Sequence, residues 1–355
     1  MAETRNTGAG EKIKVAVIGA SGYSGGELIR LLLDHPMVEL TFLSAERNAG
    51  SIVGAVHPWL RNHPGVTGLK FRPLAELSDV GPVDVAFACL PTGALPGVLP
   101  QVTEQAKRVF NLAGDYRLRD EAELREHYPR SAENPAKFDY FVPELAASVP
   151  EGRLINLPGC MAVTTIYALY PLFAAPLVRP QVVVDAKTGS TGAGRTAGEH
   201  HAERAGNFRV HKLHGHRHTP EIRQAVAEVT GSAPELHFST FSLDVPRGIM
   251  VTAYATLLPG VSTLDVKRAF GKAYVGKRFV RVRTTPRHPQ DFPMLKAVVG
   301  SNVAEIAVSV RGERVVAVAA LDNLIKGAAG QAVQVMNLAY GFDEALGLPL
   351  TASAP

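Results

Sequence analysis

Between Ile155 and Phe173 the chain reads INLPGCMAVTTIYALYPLF, with Cys160, one of only 2 cysteines, directly after a Pro-Gly pair and directly before an apolar segment of helical pattern. A thiol in the first turn of a helix meets the positive end of the aligned peptide dipoles, which favours the thiolate and raises its nucleophilicity at neutral pH. The Pro-Gly pair lets the chain turn sharply and present the sulfur. The chemistry this suits is covalent: attack on an electrophilic carbon, splitting one difficult step into two easier ones. The alternative is an inert buried thiol, and that is the simplest reading of Cys89, which sits in the apolar run VAFACL.

A nucleophilic thiol needs a proton donor or acceptor, and EHHAERAGNFRVHKLHGHRHTPEI holds six of the 12 histidines: His200, His201, His211, His214, His216 and His218. HRHTPEI reads as a loop entering a helix at Thr219, with Pro220 at a first-turn position. His218 then stands just before the helix, placed to act as acid or base, with Glu221 able to orient it and His216 as the alternative. So many histidines also raise a zinc site, but no HExxH occurs and neither cysteine is close in sequence, so no metal is expected. His200, His201 and His211 read equally well as a solvated loop. Arg204, Arg209, Lys212 and Arg217 form either a surface for phosphate or an acidic partner, or a wet face.

The elements that must position these groups follow from periodicity. KIKVAVIGA is a short β-branched run that stops at Gly19, and in SGYSGGELIRLLLDHP residues Leu28, Leu31 and Leu32 share one helical face. Further strands end at Ser44 and begin near residues 83 and 108, alternating with helices, which predicts a parallel sheet wrapped by helices. Beyond Cys160 the strand signals QVVVDAKTG, ELHFSTFSLDV, GIMVTAYATLL, EIAVSVRG and RVVAVAALDN are longer, with few helices between them. The fold class is therefore α/β: a Rossmann-like dinucleotide-binding domain and a second α+β domain on a largely antiparallel sheet. The expected boundaries are 11–158 for the first, completed by a C-terminal helix at 327–350, and 159–326 for the second.

GASGYSGG, Gly19 to Gly26, is spaced G-x-x-G-x-x-G rather than G-x-G-x-x-G, yet its place between first strand and first helix offers backbone N–H groups to a pyrophosphate. The same glycines would also serve a plain tight turn. After the second strand, SAERN supplies Ser44 and Arg47, which suit the 2′-phosphate of NADP, whereas Glu46 would repel it if turned inward. TGSTGAGR, Thr188 to Arg195, is a second glycine-rich turn, and Arg117 of GDYRLRD lies where ligands of such sheets bind, as a substrate clamp or an ordinary salt bridge.

Length and composition set the outer bounds. A chain of 355 residues, 46% hydrophobic and 20% charged, can bury a full core and two domains. Two cysteines cannot build a disulfide framework, and no signal-like or membrane-length apolar run occurs, so a cytoplasmic protein is expected. A net charge of +4 suits an acidic or phosphorylated partner better than DNA.

Taken in order, GASGYSGGELIRLLLDHP, DYRL, PGC before an apolar helix, GHRHTPEI and DNLIKGAAGQAVQVMNLAYG resemble the N-acetyl-γ-glutamyl-phosphate reductase family along nearly the whole chain. The resemblance implies a reductive dephosphorylation in which Cys160 attacks an acyl phosphate and a histidine of the HRH loop, His216 or His218, is acid and base. It implies NADP(H) bound near Gly19, Ser21, Gly22, Tyr23 and Ser24, near Ala45, Glu46 and Arg47, and near Asn323. HHAERAGNFRVHK is most similar to the branch acting on aminoadipyl or glutamyl phosphates carried by a small acidic LysW-type protein in lysine and arginine biosynthesis. In that reading Arg117, Arg204, Arg209 and Lys212 are substrate-side residues, and a homo-oligomer is expected. Two departures stand out: LPTG at Leu90 to Gly93, where the family commonly has a histidine after the proline, and Met161, where the arginine-pathway enzymes usually have tyrosine. The second favours the carrier branch over enzymes of the free acetylated substrate. A non-catalytic NADP-binding sensor and a nucleic-acid-binding module are the readings from other classes, and neither gives Cys160 a task.

Overall fold

The computed structural model describes residues 11–195 and 201–353, except the side chains of His201 and Ala202. The chain divides into two compact units. The first takes the chain through Pro143, Ala147–Leu157 and Ala329–Leu348; the second takes Glu144–Ala146, Pro158–Ala328 and the residues from Pro349 onward.

The first unit is built on six parallel strands: β1 Ile13–Ile18, β2 Val38–Ser44, β3 Val83–Ala88, β4 Ala106–Asn111, β5 Asp139–Tyr140 and β6 Leu154–Asn156. Their order is β2-β1-β3-β4-β6-β5, with every pairing parallel. Parallel strands must be covered on both faces, and Val15, Ala16, Val17 and Ile18 of β1 are accordingly all fully buried. Helix α1, Tyr23–Leu33, buries Leu28, Ile29, Leu31 and Leu32. It packs against β1, β2 and the C-terminal helix Gly330–Ala339, and α2, Leu95–Gln105, packs on β3 and β4. Cys89 stands one residue beyond β3 rather than inside a strand, its N–H donating to the Ile18 carbonyl at 2.8 Å. Burial pushes its thiol well above the ordinary range.

The second unit carries a seven-stranded sheet, formed by β7 Val178–Thr188, β8 Arg209–Lys212, β9 Glu235–Ser242, β10 Ile249–Leu257, β11 Val280–Arg283, β12 Ala304–Arg311 and β13 Arg314–Leu321. The order is β11-β12-β13-β10-β7-β9-β8. It is mixed: β7 with β9 and β11 with β12 run parallel, and the other four pairings run antiparallel. The parallel β7–β9 pair follows from the segment between them, which contains a full helix and so permits a crossover. The short strands β8 and β11 were not legible as strands, since RVHK and VRVR carry too few apolar residues to stand out.

The three long helices among the described residues of this unit are α3 Cys160–Ala174, α4 His218–Thr230 and α5 Thr263–Tyr274. Helix α3 is apolar all round, with twelve of its 15 residues buried, because it packs on β7, β10 and β13 while α4 and α5 cover its flanks. Pro171 inside it cannot donate to the Tyr167 carbonyl one turn earlier. The Tyr274 hydroxyl of α5 donates to that oxygen at 2.7 Å, so the gap in the helical ladder becomes a bond between helices. Beside it Lys326, fully buried, donates to Glu144 Oε1 at 2.5 Å, and the Tyr167 hydroxyl donates to the same carboxylate. Among the described residues no helix is long and apolar enough to cross a membrane.

Candidate active site

Helix α3 begins at Cys160 itself, with Gly159 as its N-cap, so the thiol occupies the first helical position. The hydroxyls of Thr164 and Thr165 donate back to the Cys160 and Met161 carbonyls, both at 2.8 Å, which ties the first turn to the second. Cys160 is only partly buried. Against it lies the one-turn segment Ile325–Ala329, where a Cβ on Gly327 would fall 2.8 Å from the Cys160 Cβ. Only glycine allows that approach. The sequence marks residue 327 only as a domain crossing, because its packing on Cys160 arises from a contact 167 positions away, counting from 160 to 327.

Helix α4 starts one residue earlier than its Thr-Pro pair suggests, at His218, because the His218 N–H donates to His216 Nδ1 at 3.1 Å and thereby has a partner. His218 is thus the first residue of the helix rather than the residue before it. Its ring lies 4.7 Å from that of His216, centroid to centroid, and its Nε2 stands 3.9 Å from Glu221 Oε2. The other oxygen, Glu221 Oε1, accepts the Gly159 N–H at 2.7 Å. One buried carboxylate therefore joins the cap of the cysteine helix to the histidine. His216 is different: burial first, then the neighbouring charges of His218 and Arg217, push its imidazole down to about 2, so its ring is neutral. With Nδ1 already accepting a backbone N–H, it shapes the loop.

Arg204 Nη2 donates to Ser242 Oγ at 3.5 Å, Arg209 and Lys212 lie on edge strand β8, and Phe208, Val210 and Leu213 are exposed beside them. His211 packs edge-on toward His216, and His214 toward His237. His200 and the side chain of His201 lie outside the described residues. Among the described residues no group of three or more metal-ligating side chains is placed to hold an ion.

Asn323 lies in the second unit with both ends of its amide engaged: Oδ1 accepts the Gly248 N–H at 2.7 Å and Nδ2 donates to Thr191 Oγ1 at 2.9 Å. It holds the Thr188–Arg195 turn against the 245–248 loop, to which Gly189, Ser190 and Thr191 also donate backbone N–H groups. Beside it Asp322 pairs with Arg247 at 3.0 Å and accepts the Leu324 N–H at 2.8 Å.

In the first unit Gly19 has φ +83°, and a Cβ there would meet the Cys89 carbonyl at 2.7 Å. Gly22 caps α1, Tyr23 is its first residue and Ser24 its second, and Ser21 is half-buried in the turn. A Cβ on Gly25 would fall 2.7 Å from the Ala20 Cα and carbonyl oxygen, so only glycine fits there. His57, unremarked in the sequence, donates from Nε2 to the Ala20 carbonyl at 2.9 Å and so supports the turn. Beyond β2, Ala45 is buried and bonded to Arg72, and Glu46 is turned aside, accepting the Leu74 N–H at 2.9 Å. Arg47 is exposed and has no hydrogen-bond or ion-pair partner among the described residues. Gln331, at the start of the C-terminal helix, is fully buried with neither amide atom partnered among the described residues. An orphaned buried amide costs about 1–3 kcal/mol unless a bound group or water satisfies it. The turn after β1, with Gly22 capping α1, and the exposed Arg47 beyond β2 fit a dinucleotide.

Arg117 is buried and donates from Nη2 to the Leu112 carbonyl at 2.8 Å. It follows Tyr116, the only non-glycine residue with positive φ among those described, at +62°. That strain is held by a buried knot: Asn111 Nδ2 donates to Asn156 Oδ1 at 2.7 Å and to the Asp115 carbonyl at 2.8 Å, while the Asp115 carboxylate accepts Gly93 N–H and Ser131 Oγ–H. Its members are far apart in sequence, so no local motif announced them.

A six-stranded parallel sheet with a glycine turn, and a mixed-sheet unit with a thiol at a helix start, define a class of dinucleotide-dependent oxidoreductases. The sequence pattern described as "Semialdehyde dehydrogenase, NAD binding domain" matches residues 14–152, and that described as "Semialdehyde dehydrogenase, dimerisation domain" matches 160–323. The chain is 40% identical to N-acetyl-gamma-glutamyl-phosphate reductase 1 of Lactiplantibacillus plantarum, over 95% of this chain and 98% of that one. It is also 40% identical to a putative LysW-L-2-aminoadipate 6-phosphate reductase of Thermomicrobium roseum, over 95% and 97%. Among solved structures it is similar in fold to an aspartate semialdehyde dehydrogenase from Candida albicans, with TM-score 0.69, 17% identity, and 92% and 98% of the chains covered. The chain belongs to the semialdehyde dehydrogenase family, in the group that contains the N-acetyl-γ-glutamyl-phosphate and LysW-aminoadipate phosphate reductases, and it is a nicotinamide-dinucleotide-dependent oxidoreductase.

Proposed function

We propose that the chain reduces a side-chain acyl phosphate to a semialdehyde through a thioester on Cys160, with NADPH as reductant. The observation that carries this reading is the Cys160 thiol at the start of α3, linked through one buried carboxylate to His218. The thiolate attacks the acyl carbon, the C–S bond forms, the C–O bond breaks and inorganic phosphate leaves. NADPH, when bound, supplies the hydride that reduces the thioester. The His218 imidazolium gives its proton to the resulting oxyanion, then takes it back as the C–S bond breaks and releases the aldehyde and the thiolate. Amides of the first turn of α3 stabilise the oxyanion, about 3–4 kcal/mol for each well-aimed donor. His216, neutral and bonded to the His218 backbone, is in this reading a support for His218 and not the acid.

NADPH is the reading for the cofactor because Arg47 is available and Glu46 is turned away. Ser21 to Ser24 and Ala45 to Arg47 would hold it, while Asn323 contributes by shaping the Thr188–Arg195 turn. For the substrate, Arg204, Arg209 and Lys212 beside exposed apolar residues on an edge strand favour an acidic carrier protein bearing aminoadipyl or glutamyl phosphate, as the names of several relatives describe for those proteins. Arg117 is the proposed clamp for the substrate's own charge. The second reading is the free N-acetylated glutamyl phosphate, for which the Lactiplantibacillus relative is named. A catalytic thiol fits the reducing cytoplasm. A homo-oligomer is supported by Val183 and Tyr254, 46% and 44% exposed on the second unit's sheet.

The test follows NADPH oxidation with carrier-bound aminoadipyl phosphate, carrier-bound glutamyl phosphate and free N-acetylglutamyl phosphate side by side. Turnover with only the free acetylated substrate removes the carrier reading. Cys160→Ser is expected to abolish turnover and Cys89→Ser to leave it intact, and mass spectrometry of wild type with substrate but no NADPH should find the acyl group on Cys160.

A further inference from the structure

We infer that Glu221 is a positioning residue of the reaction, whose single carboxylate sets both the start of the nucleophile's helix and the acid–base histidine. The inference rests on the thioester reading of Cys160 and His218. Glu221 is fully buried, and a carboxylate is expensive to bury unless both its oxygens are used. Here Oε1 accepts the Gly159 N–H at 2.7 Å, while Oε2 stands 3.9 Å from His218 Nε2, beyond hydrogen-bond distance and within reach of an ion pair with the protonated ring. The three residues come from two elements, the cap of α3 and the first turn of α4, which pack against each other.

Two consequences follow. First, the Gly159 N–H is already occupied, so the substrate oxyanion must be met by amides further into the first turn of α3, and the carboxylate decides which backbone donors are available. Second, when His218 carries its proton, Glu221 faces a positive charge at ion-pair distance, so the carboxylate acts on the charged form of the ring. The spacing between nucleophile and proton donor is thereby set by one side chain in place of two independent loops. The sequence already offers Glu221 as the group that orients His218; its bond to Gly159, 62 positions away, belongs to the fold.

Glu221→Gln separates the two tasks, since the amide oxygen still accepts the Gly159 N–H but the charge facing His218 is gone. Turnover is measured for wild type, Glu221→Gln, His218→Asn and the double variant, with whichever of the three acyl phosphates the wild type uses. Rates are counted per Cys160 thiol that iodoacetamide titrates in folded protein, so that poor folding lowers the enzyme count and not the rate. The expected result is a fall in kcat of at least about 10-fold for Glu221→Gln with KM within about twofold, and a double variant no slower than His218→Asn alone by more than about twofold. A wild-type kcat in Glu221→Gln, or losses that multiply in the double variant, would overturn it while leaving the thioester reading standing. A wild type that forms no acyl adduct on Cys160 removes the underlying reading, and this one with it.

Discussion

His216 shows how burial converts an ionisable side chain into a structural one. Its pKa in the folded chain is down at about 2, whereas in the unfolded chain it titrates near the ordinary 6.5. A depressed folded value means that the unfolded state binds the proton first, so the stability His216 lends is complete above pH 6.5 and drains away as pH falls toward 2. The slope is at most about 1.4 kcal/mol per pH unit. Urea melts of His216→Asn should therefore lose less stability than wild type between pH 6.5 and 5, and an unchanged slope would show that the ring is protonated in the native state. At the other unit, Arg47→Ala should raise KM for NADPH by about 10-fold or more while leaving KM for NADH within about threefold, since only the former has a phosphate to lose. Equal effects on the two cofactors would remove Arg47 from the 2′-phosphate site.

At the scale of elements, the glycine turn and the cysteine helix are both defined by close backbone approach. Gly19 combines a left-handed φ with a Cβ position 2.7 Å from the Cys89 carbonyl, and the barrier there is backbone, which cannot swing away. Gly19→Ala should cost more than about 1 kcal/mol in denaturant melts and weaken NADPH binding in fluorescence titration. A fully stable Gly19→Ala with wild-type binding would mean that the turn can relax. Helix α3 illustrates how a local defect is absorbed: Pro171 breaks the ladder at Tyr167, and Tyr274 of α5 closes it.

For the molecule as a whole, the chain passes between its two units several times, and the fragment Glu144–Ala146 belongs to the second unit although its neighbours on both sides belong to the first. Within that unit Glu144 meets the buried ammonium of Lys326, 182 positions away, which lies 5.3 Å from the Phe279 ring centroid. Removing one member of a buried pair strands the other charge. Lys326→Met should destabilise the protein by about 3–5 kcal/mol in chemical melts, with Glu144→Gln added to it restoring part of the loss. No recovery in the double variant would mean that Lys326 acts through packing alone.

Strand, turn and helix order in the first unit, the long strands of the second, the thiol at a helix start and the histidine before a Pro-Glu pair were all readable along the chain. Each depends on periodicity or on neighbours within a few residues, where covalent geometry and local burial decide the outcome. What tertiary structure decided was which distant groups share a charge or a gap: Glu221 with Gly159, Gly327 with Cys160, Lys326 with Glu144, and Glu46 with Leu74. It also set the parallel pairs within the mixed sheet and the neutral state of His216, because register and desolvation are properties of packed elements and have no local signature.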